Sequence, residues 1–345
     1  MKLNEYIIYT GRTIIMEKLV EEKLNRLIGL FNQVSMQYKW QQPLTNHFAA
    51  LTYTLNKKEF NKEKIQDVRK HIKKTTGIFS YYRGTSMTIL SALLASQYDD
   101  PKQEFDKMFD YGKKMKKIGF KNSMFLPIAN YALLATCEEE RVDTRINKAI
   151  AIYKEMRKNH RWLTSGDDYP LFIFLAKSDN SVNTIIENME ECYKLLNQNG
   201  FKKNNGLQFL SHILGFRQED NTIKVLRCIK MFNILRENKI KVYSGGYAAI
   251  GFLAILGEEG YEAVEQVIEV VKILKSNKKY KWLTKETHLY TATALVSDVY
   301  IENMKNQKEL IQTTIGISIE TLISAQIVAT LAAASGATSS DGASY

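Results

Sequence analysis

The sequence predicts an all-α protein built as a stack of helical hairpins, and three observations lead to this prediction. A bulky apolar residue recurs every 38 to 42 residues, from Trp40 to Trp282. Between these landmarks, apolar residues repeat at the i, i+3, i+4, i+7 spacing of one helix face. The chain has 4 prolines among 345 residues, which favours long helices over strands and turns. The landmarks are Trp40, Ile78, Phe120, Trp162, Phe201, Ile240 and Trp282.

Each repeat predicts one hairpin of about 40 residues. After each landmark, a short polar turn precedes an apolar helix, the A helix, and an amphipathic B helix follows. Segment 204–214 is typical of an A helix, apolar on nearly all sides, whereas 182–196 has the apolar stripe and charged outer face of a B helix. A hairpin with an uncovered apolar face is unstable alone, so the units are expected to stack. About seven hairpins predict either an open α-solenoid or a closed α/α toroid.

The remaining segments complete one predicted domain over 1–334. An amphipathic helix over 12–39 is expected to cap the N-terminal end of the stack, and the hairpins run from 41 to about 316. A helix over 317–334 is expected to cap the other end. The small polar residues of 335–345 predict a disordered tail. The landmark side chains are expected to fill gaps between successive hairpins.

Composition and the N-terminal sequence predict a cytoplasmic protein. Three cysteines provide no disulfide framework, and the N-terminus lacks the apolar core of a secretory signal. The weakly charged stretch 311–334 contains Glu320 and many hydroxyl side chains, which favours a helix packed on the body over a membrane span. The formal net charge of +11 keeps nucleic acid as a possible partner, but glutamates interrupt the lysine runs, so we expect it less.

The segment WLTSGDDYP at 162–170 contains the candidate catalytic residues, Asp167 and Asp168. They stand at the start of an A helix, where other units have Ser, Asn or Gly, so the first interpretation is a helix cap. The second interpretation is acid/base catalysis, which needs a second carboxylate with a different pKa. Glu286 is the candidate for that partner, provided that the array closes into a ring.

The other A-helix starts supply candidate ligand-binding residues. If the A helices run side by side, their N-termini lie on one rim and favour an anionic or polyhydroxylated ligand. No metal and no cofactor are expected, because the five histidines are far apart and no phosphate-binding glycine motif occurs. The ligand-binding candidates are Arg83, Asn205, Gln208, His212, Tyr247 and His288.

Four segments carry a resemblance to a known family: FSYYRG (79–84), LTSGDDYP (163–170), NNGLQFLSHIL (204–214) and LAAASGATSS (331–340). They resemble a bacterial family numbered four thousand and three among the domains of unknown function. The resemblance covers nearly the whole chain. It implies a helical, cytoplasmic bacterial protein, and it supplies no activity, ligand or catalytic residue.

The function predicted from these residues is that of a non-enzymatic scaffold. It would bind a protein, a peptide or an anionic ligand on the surface lined by the A helices and their starting turns. The alternative is an α/α-toroid hydrolase or lyase whose active site lies at that rim, with Asp167 or Asp168 as the acid or base. A closed ring with a deep pocket at the rim and a strongly shifted pKa of Asp167 or Asp168 would favour the enzyme. An open groove with exposed apolar side chains would favour a protein partner. A lysine-lined concave groove, with binding that weakens steeply with salt, would favour nucleic acid.

Overall fold

The computed structural model describes residues 3–38, 42–160 and 163–304, together with residue 321. Within these ranges the chain is all-α, as predicted, and contains no strand. The landmarks Trp40 and Trp162 lie outside the described residues, as do the predicted tail and, apart from residue 321, the predicted helix 317–334. The described helices are α1 Leu3–Gln37, α2 Pro43–Leu55, α3 Lys62–Thr75, α4 Gly84–Gln97, α5 Pro101–Lys117, α6 Leu126–Thr136, α7 Val142–Asn159, α8 Tyr169–Leu175, α9 Val182–Gln198, α10 Asn205–Leu214, α11 Asn221–Glu237, α12 Tyr247–Ala254, α13 Gly260–Ser276 and α14 Lys285–Glu302.

Helices of two kinds alternate along the chain, and we keep the names A for the even-numbered and B for the odd-numbered helices. The A helix α10 is buried continuously from Leu207 to Leu214, and α6 from Leu126 to Leu133. The B helix α9 instead buries one stripe, which includes Ile185, Met189 and Leu196. Burial on all sides explains why the A helices are apolar throughout, and burial of one stripe explains the charged outer face of the B helices.

Polar side chains start several helices, as the cap interpretation expects. The side chain of Asn204 accepts a hydrogen bond from the Leu207 N–H at the start of α10, at 3.0 Å. Thr284 caps α14 in the same way through the Thr287 N–H, at 3.1 Å. The first N–H groups of a helix have no partner inside the helix, so these side chains fix where each helix begins.

Neighbouring A-helix starts are hydrogen-bonded to one another. The Lys121 N–H donates to the Tyr169 hydroxyl at 3.1 Å, and the Lys202 N–H donates to the Tyr247 hydroxyl at 3.3 Å. Since helices joined by short turns run antiparallel, the B-to-A turns share one end of the assembly and the A-to-B turns the other. We call the first end the start rim and the second the far rim. The turns of the start rim are 76–83, 118–125, 163–168, 199–204, 238–246 and 277–284.

Helices from both ends of the described chain pack against each other. The helix α14 contacts α1 and α2, and α13 also contacts α1. The guanidinium of Arg12 on α1 lies 2.6 Å from the carboxylate of Glu259, beside the start of α13. His47 on α2 has its Nε2 atom 2.9 Å from the hydroxyl of Thr291 on α14. We call this contact region the end junction. No described helix combines the length and the apolar character that crossing a bilayer requires.

Candidate functional site

Three of the predicted site residues come together between the turn that leads into α8 and the A helix α10. Asp168 ends a short 3-10 turn that leads into α8, while Gln208 and His212 lie one turn apart on α10. The Nδ1 atom of His212 lies 3.6 Å from Oδ1 of Asp168. The side-chain amide of Gln208 donates to the Thr164 hydroxyl at 2.7 Å. All four side chains are buried. We call Thr164, Asp168, Gln208 and His212 the Asp168 cluster.

Asp168 has two contacts of different kinds. Its Oδ2 atom accepts the Ser165 N–H at 3.1 Å, which is the capping role that its position predicts. Its Oδ1 atom instead faces His212 on the neighbouring A helix. Asp167, by contrast, turns towards the hydroxyl of Ser165, which donates to it. The two adjacent carboxyl groups therefore differ, because only that of Asp168 reaches across to another unit.

Burial favours the neutral forms of both partners in this pair. It raises the pKa of Asp168 well above the ordinary range, and the nearby charge of Asp167 raises that pKa further. It also lowers the pKa of His212 to about 3, so the imidazole is uncharged at neutral pH. Both shifts oppose the transfer of a proton from Asp168 to His212, so the pair stays uncharged at neutral pH.

The protein leaves much of this cluster without hydrogen bonds. Neither ring nitrogen of His212 has a hydrogen-bond partner among the described residues. The same is true of Oε1 of Gln208. The His212 ring packs against Phe172, with 5.4 Å between the ring centroids. A buried polar atom without a partner costs about 1–3 kcal/mol. The cluster therefore combines full burial with polar atoms that the described protein does not satisfy.

The two-carboxylate arrangement expected of an acid/base enzyme is not assembled at Asp168. Glu286, the predicted partner, packs beside Gly245 in the turn before α12. Burial and, after it, the charge of Glu286 raise the pKa of Tyr290 on α14. Asp167 does lie beside Asp168, but burial raises its pKa as well. Acid/base hydrolysis by two carboxyl groups needs environments that push their two pKa values apart, so that one group is protonated while the other is ionised. Both carboxyl groups here are shifted in the same direction.

The remaining predicted ligand-binding residues lie at other A-helix starts and contact their own surroundings. Asn205 is exposed at the first position of α10. The other three make hydrogen bonds that hold the turns together, which is a structural role. Those bonds join Arg83 Nη2 to the Thr76 carbonyl at 2.7 Å, His288 Nε2 to the Tyr280 carbonyl at 2.9 Å, and the Lys202 N–H to the Tyr247 hydroxyl at 3.3 Å.

No group of three or more metal-binding side chains occurs among the residues that the structure describes. Two of the surface cavities contain an ion pair each. A cavity of about 530 Å³ on the far rim contains Arg227, which lies 2.8 Å from Glu219. A cavity of about 630 Å³ beside α9 contains His160, which lies 2.9 Å from Glu190. Paired charges reduce what either cavity offers to a charged ligand.

Exposed lysines dominate the start rim. They lie in its turns and in the last turns of the B helices, where a cation also interacts favourably with the helix dipole. The A-helix N-termini at the same rim add positive potential, whereas the far rim carries acidic pairs such as Asp99–Asp100 and Glu258–Glu259. We call this set the lysine rim: Lys73, Lys74, Lys116, Lys117, Lys121, Lys202, Lys203, Lys239, Lys241, Lys275, Lys278, Lys279, Lys281 and Lys285.

Two apolar side chains of the start rim face solvent, which corrects one expectation. The landmarks Phe120, Phe201 and Ile240 are buried as predicted, but Ile78 is 77% exposed and the adjacent Phe79 is 97% exposed. In that turn the inward position belongs to Tyr82, whose hydroxyl accepts a hydrogen bond from the Asn130 amide. Because Tyr82 fills the gap, Ile78 and Phe79 are free to project from the rim. Trp282 is a second departure, at 42% exposed.

Comparison with known proteins places this geometry in a family. The model of a family described as "Protein of unknown function (DUF4003)" matches residues 30–328. The chain belongs to this family. A curated relative, the uncharacterized protein YeaA of Bacillus subtilis (strain 168), is 27% identical over 319 residues, which cover 91% of this chain and 94% of that protein. No solved structure matches the chain.

The resemblance stated from four sequence segments is thereby confirmed, and the DUF4003 family supplies no activity. What the chain can do must follow from its own residues, which present two regions: the buried Asp168 cluster and the exposed lysine rim. Sequence reasoning named three members of the first region. It missed the exposure of Phe79 and the concentration of lysines on one rim. A comparison of the charges in the B-to-A turns with those in the A-to-B turns would have revealed the lysines.

Proposed function

We propose that this chain is a non-enzymatic scaffold that binds an acidic protein or peptide on the lysine rim. The exposure of Phe79, at 97%, beside Ile78, at 77%, is the observation that supports this proposal best. An apolar pair that protrudes from a charged surface is typical of an interaction site. The lysines would steer an acidic partner to the rim, and the two apolar side chains would anchor it.

The proposed scaffold is a single domain that closes into an α/α toroid of seven hairpins, each made of one B helix and the A helix that follows it. The first hairpin is then α1 with α2, and the last is α13 with α14. The contacts of the end junction support closure, because the last A helix touches the first one. In this arrangement α1 is the outer helix of the first hairpin rather than a cap. A reducing compartment such as the cytoplasm suits its free cysteines.

The chemistry of the rim favours an acidic polypeptide over nucleic acid. Phosphate groups are recognised best by the planar fork of arginine, and the rim cations are almost all lysines. Single-stranded nucleic acid is bound by stacking successive bases on several open aromatic faces, and Phe79 offers one such face. The ring of Trp282 packs against Phe31, with 6.1 Å between the centroids, and its indole N–H donates to the Lys279 carbonyl at 2.6 Å. An acidic segment with apolar side chains fits both Phe79 and the lysines.

The α/α-toroid hydrolase or lyase is the second proposal. Its supporting observation is the 3.6 Å contact between Asp168 and His212, together with the raised pKa of Asp168. It ranks second because an ionised carboxylate is missing from the Asp168 cluster. Asp167 is the nearest candidate along the chain, and burial raises its pKa too.

The first proposal is tested by fluorescence anisotropy with a labelled glutamate-rich peptide that carries two phenylalanines. We expect Phe79→Ser to weaken binding about tenfold, because a central apolar anchor contributes more than 1 kcal/mol. Lys278→Glu combined with Lys281→Glu should also weaken it and flatten its salt dependence. The matched control is Lys58→Glu, since Lys58 is an exposed lysine of the far rim. It should bind the peptide like the unaltered chain.

Three outcomes would contradict the acidic-peptide proposal. The peptide could fail to bind, Phe79→Ser could bind it unchanged, or Lys58→Glu could weaken binding as much as the rim double variant does. A single-stranded uridine-rich RNA that binds more tightly than the peptide, with a steep dependence on salt, would replace the proposal with nucleic-acid binding.

A further inference from the structure

We infer that the far-rim cavity of about 530 Å³ is a binding site for a free α-amino acid with an apolar side chain. In this site Arg227 holds the carboxylate of the ligand, and Ile223 contacts its side chain. Glu258 and Glu259 hold its ammonium group. The inference concerns a small zwitterion on the far rim, whereas the proposed function concerns an acidic polypeptide on the lysine rim. Either can therefore fail without the other.

The cavity has room for such a ligand, and its walls come from separate parts of the chain. Its volume of about 530 Å³ is within the range of about 300–1,000 Å³ that is usual for small-molecule sites. Residues of 217–227 form one wall, and residues of 256–259, before α13, form another. Arg12 on α1 and Met304, just after α14, add to the lining. A ligand in this cavity would therefore touch several helices at once.

The guanidinium of Arg227 offers one edge to a carboxylate. Its Nη1 atom donates to Glu219 at 2.8 Å and to the Ala254 carbonyl at 3.1 Å, which fixes the group. Its Nε atom is buried and has no hydrogen-bond partner among the described residues. Its Nη2 atom lies 3.3 Å from Glu258, whose side chain is 81% exposed and can move into solvent. Nε and Nη2 share an edge that matches the two oxygens of a carboxylate, so a ligand that displaces Glu258 can pair with both.

The carboxylate of Glu259 offers an acceptor to an ammonium group. Its Oε1 atom accepts from the guanidinium of Arg12 at 2.6 Å. Its Oε2 atom is buried and has no hydrogen-bond partner among the described residues. Buried polar atoms nearly always have partners, so this oxygen is suited to a donor from a ligand. An ammonium group has three donors, and it can bind Oε2 of Glu259 together with the carboxylate of Glu258 that has left Arg227.

The balance of charges in the cavity selects a zwitterion. Three arginines and four acidic residues line it among the described residues, and most of them are paired with one another. A ligand with a single charge would take a partner from one ion pair and leave the other partner without compensation, which is costly when that partner is buried. A ligand that brings both charges replaces each partner that it displaces.

The apolar part of the lining selects the side chain of the ligand. Ile223, in the first turn of α11, lines the cavity and is 51% exposed. Leu256 and Met304 line the same cavity and are buried. An apolar side chain that covers Ile223 removes apolar surface of both molecules from water, which is favourable in proportion to the area. The site therefore favours leucine, methionine or phenylalanine over glycine.

The first test is isothermal titration calorimetry of the full chain with L-leucine, L-methionine and L-phenylalanine. We expect saturable binding of at least one of them, and a saturable rise of the unfolding midpoint with the same amino acid. Two derivatives of that amino acid separate the contacts. Its amide lacks the carboxylate for Arg227, and its N-acetyl form lacks the ammonium group for Glu259. Each should bind at least tenfold more weakly, because a site built to pair a charged group rejects a ligand that lacks it. These comparisons use the unaltered chain and require no variant to fold.

The second test uses matched substitutions on α11. Ile223→Ser removes the apolar contact and should weaken binding about tenfold. The control is Leu226→Ser, because Leu226 lies about one turn further along the same helix, is 58% exposed and does not line the cavity. It should bind like the unaltered chain. Glu259→Gln keeps an oxygen for Arg12 but loses the charge, so it should weaken binding at least tenfold as well.

Four results would overturn the inference. The first is that none of the three amino acids gives either saturable heat or a saturable rise of the unfolding midpoint. The second is that the amide or the N-acetyl derivative binds as tightly as the parent amino acid. The third is that Ile223→Ser binds no more weakly than Leu226→Ser. The fourth is that glycine binds as tightly as leucine, which would mean that the apolar lining selects no side chain.

Discussion

Two buried regions of this molecule contain histidine and carboxylate groups. The hydrogen bonds and ion pairs of these groups differ between the two regions. At the end junction, His47 pairs with Thr291, and the ammonium group of Lys23 on α1 contacts the carboxylate of Asp298 on α14. In the Asp168 cluster, His212 has no hydrogen bond. The histidines themselves are alike, since burial lowers the pKa of each to about 3. The difference lies in their partners. Removing a side chain should therefore cost more stability at the end junction than in the Asp168 cluster, because only the first has hydrogen bonds to lose.

The largest expected effect concerns the charges of the end junction. Lys23→Met removes the cation beside the buried carboxylate of Asp298. The same ammonium group also lies 3.5 Å from the carboxylate of Glu302. Breaking a buried ion pair by removing one partner costs about 3–5 kcal/mol, because the other charge stays buried without compensation. We expect a loss of about 3 kcal/mol in the free energy of unfolding, measured by urea titration.

The control for Lys23→Met is Lys18→Met on the same helix. Lys18 lies 4.0 Å from Glu22, and its side chain is 77% exposed. An exposed pair of this kind contributes about 0–1 kcal/mol, so this variant should change the stability little. If Lys23→Met cost no more than Lys18→Met, the end junction would not hold the ends of the chain together, and the proposal of a closed ring would lose its main support.

The pattern of A and B helices could be predicted from the sequence. The length of the first helix could be predicted less well. The apolar stripe of α9 and the continuous apolar run of α10 lie where the 3.6-residue period predicts them. The first helix was expected over 12–39, but α1 runs from Leu3 to Gln37 and so continues through Gly11, a weak helix former just before the predicted start. Periodicity shows which side chains share a face. It does not show how far a helix continues beyond the part that has an apolar stripe.

The candidate site was predictable residue by residue but not as an assembly. Asp168 was recognisable at an A-helix start, and Gln208 and His212 as polar side chains within an otherwise apolar A helix. Their contact depends on how α8 packs beside α10, which no local pattern encodes. The exposure of Phe79 escaped prediction for the opposite reason. The spacing of landmarks predicts that one apolar residue of the turn points inward, but not that Tyr82 is the residue that does so.

The second prediction compares the two regions through pH. Burial raises the pKa of Asp298 to about 6, whereas an aspartate in an unfolded chain has a pKa of about 3.9. The folded state therefore holds this proton more tightly, and the stabilisation it provides is full below about pH 4 and is lost as the pH rises to about 6. A shift of this size corresponds to ~3 kcal/mol. The unfolding free energy should fall over that interval, and Asp298→Asn should remove most of the fall.

Asp168 should act in the same direction, because burial raises its pKa too. Asp168→Asn has the advantage that the amide oxygen can still accept the Ser165 N–H, so the cap survives and only the titration is lost. The measurement is the unfolding free energy across the acidic and neutral range, for both asparagine variants and for Asp179→Asn as an exposed control. A pH profile that neither buried substitution alters would show that these carboxyl groups do not hold their protons as inferred.

The smallest effect gives the most direct comparison, since it makes the same substitution in both regions. His47→Leu leaves the hydroxyl of Thr291 buried without its partner, which should lower the unfolding free energy by about 1–2 kcal/mol. His212→Leu removes two ring nitrogens that have no hydrogen bond and should leave the stability within about 0.5 kcal/mol of the unaltered chain, or raise it. The measurement is urea titration of the two variants at neutral pH. Their unfolding free energies can be compared directly if the dependence on urea concentration has the same slope in both.

Equal losses for the two leucine variants would mean that His212 is held by hydrogen bonds as firmly as His47 is, so that the Asp168 cluster is structural. A stable His212→Leu, on the other hand, would show that folding does not require this imidazole. The 3.6 Å contact between His212 and Asp168 would then be dispensable for the stability of the fold as well.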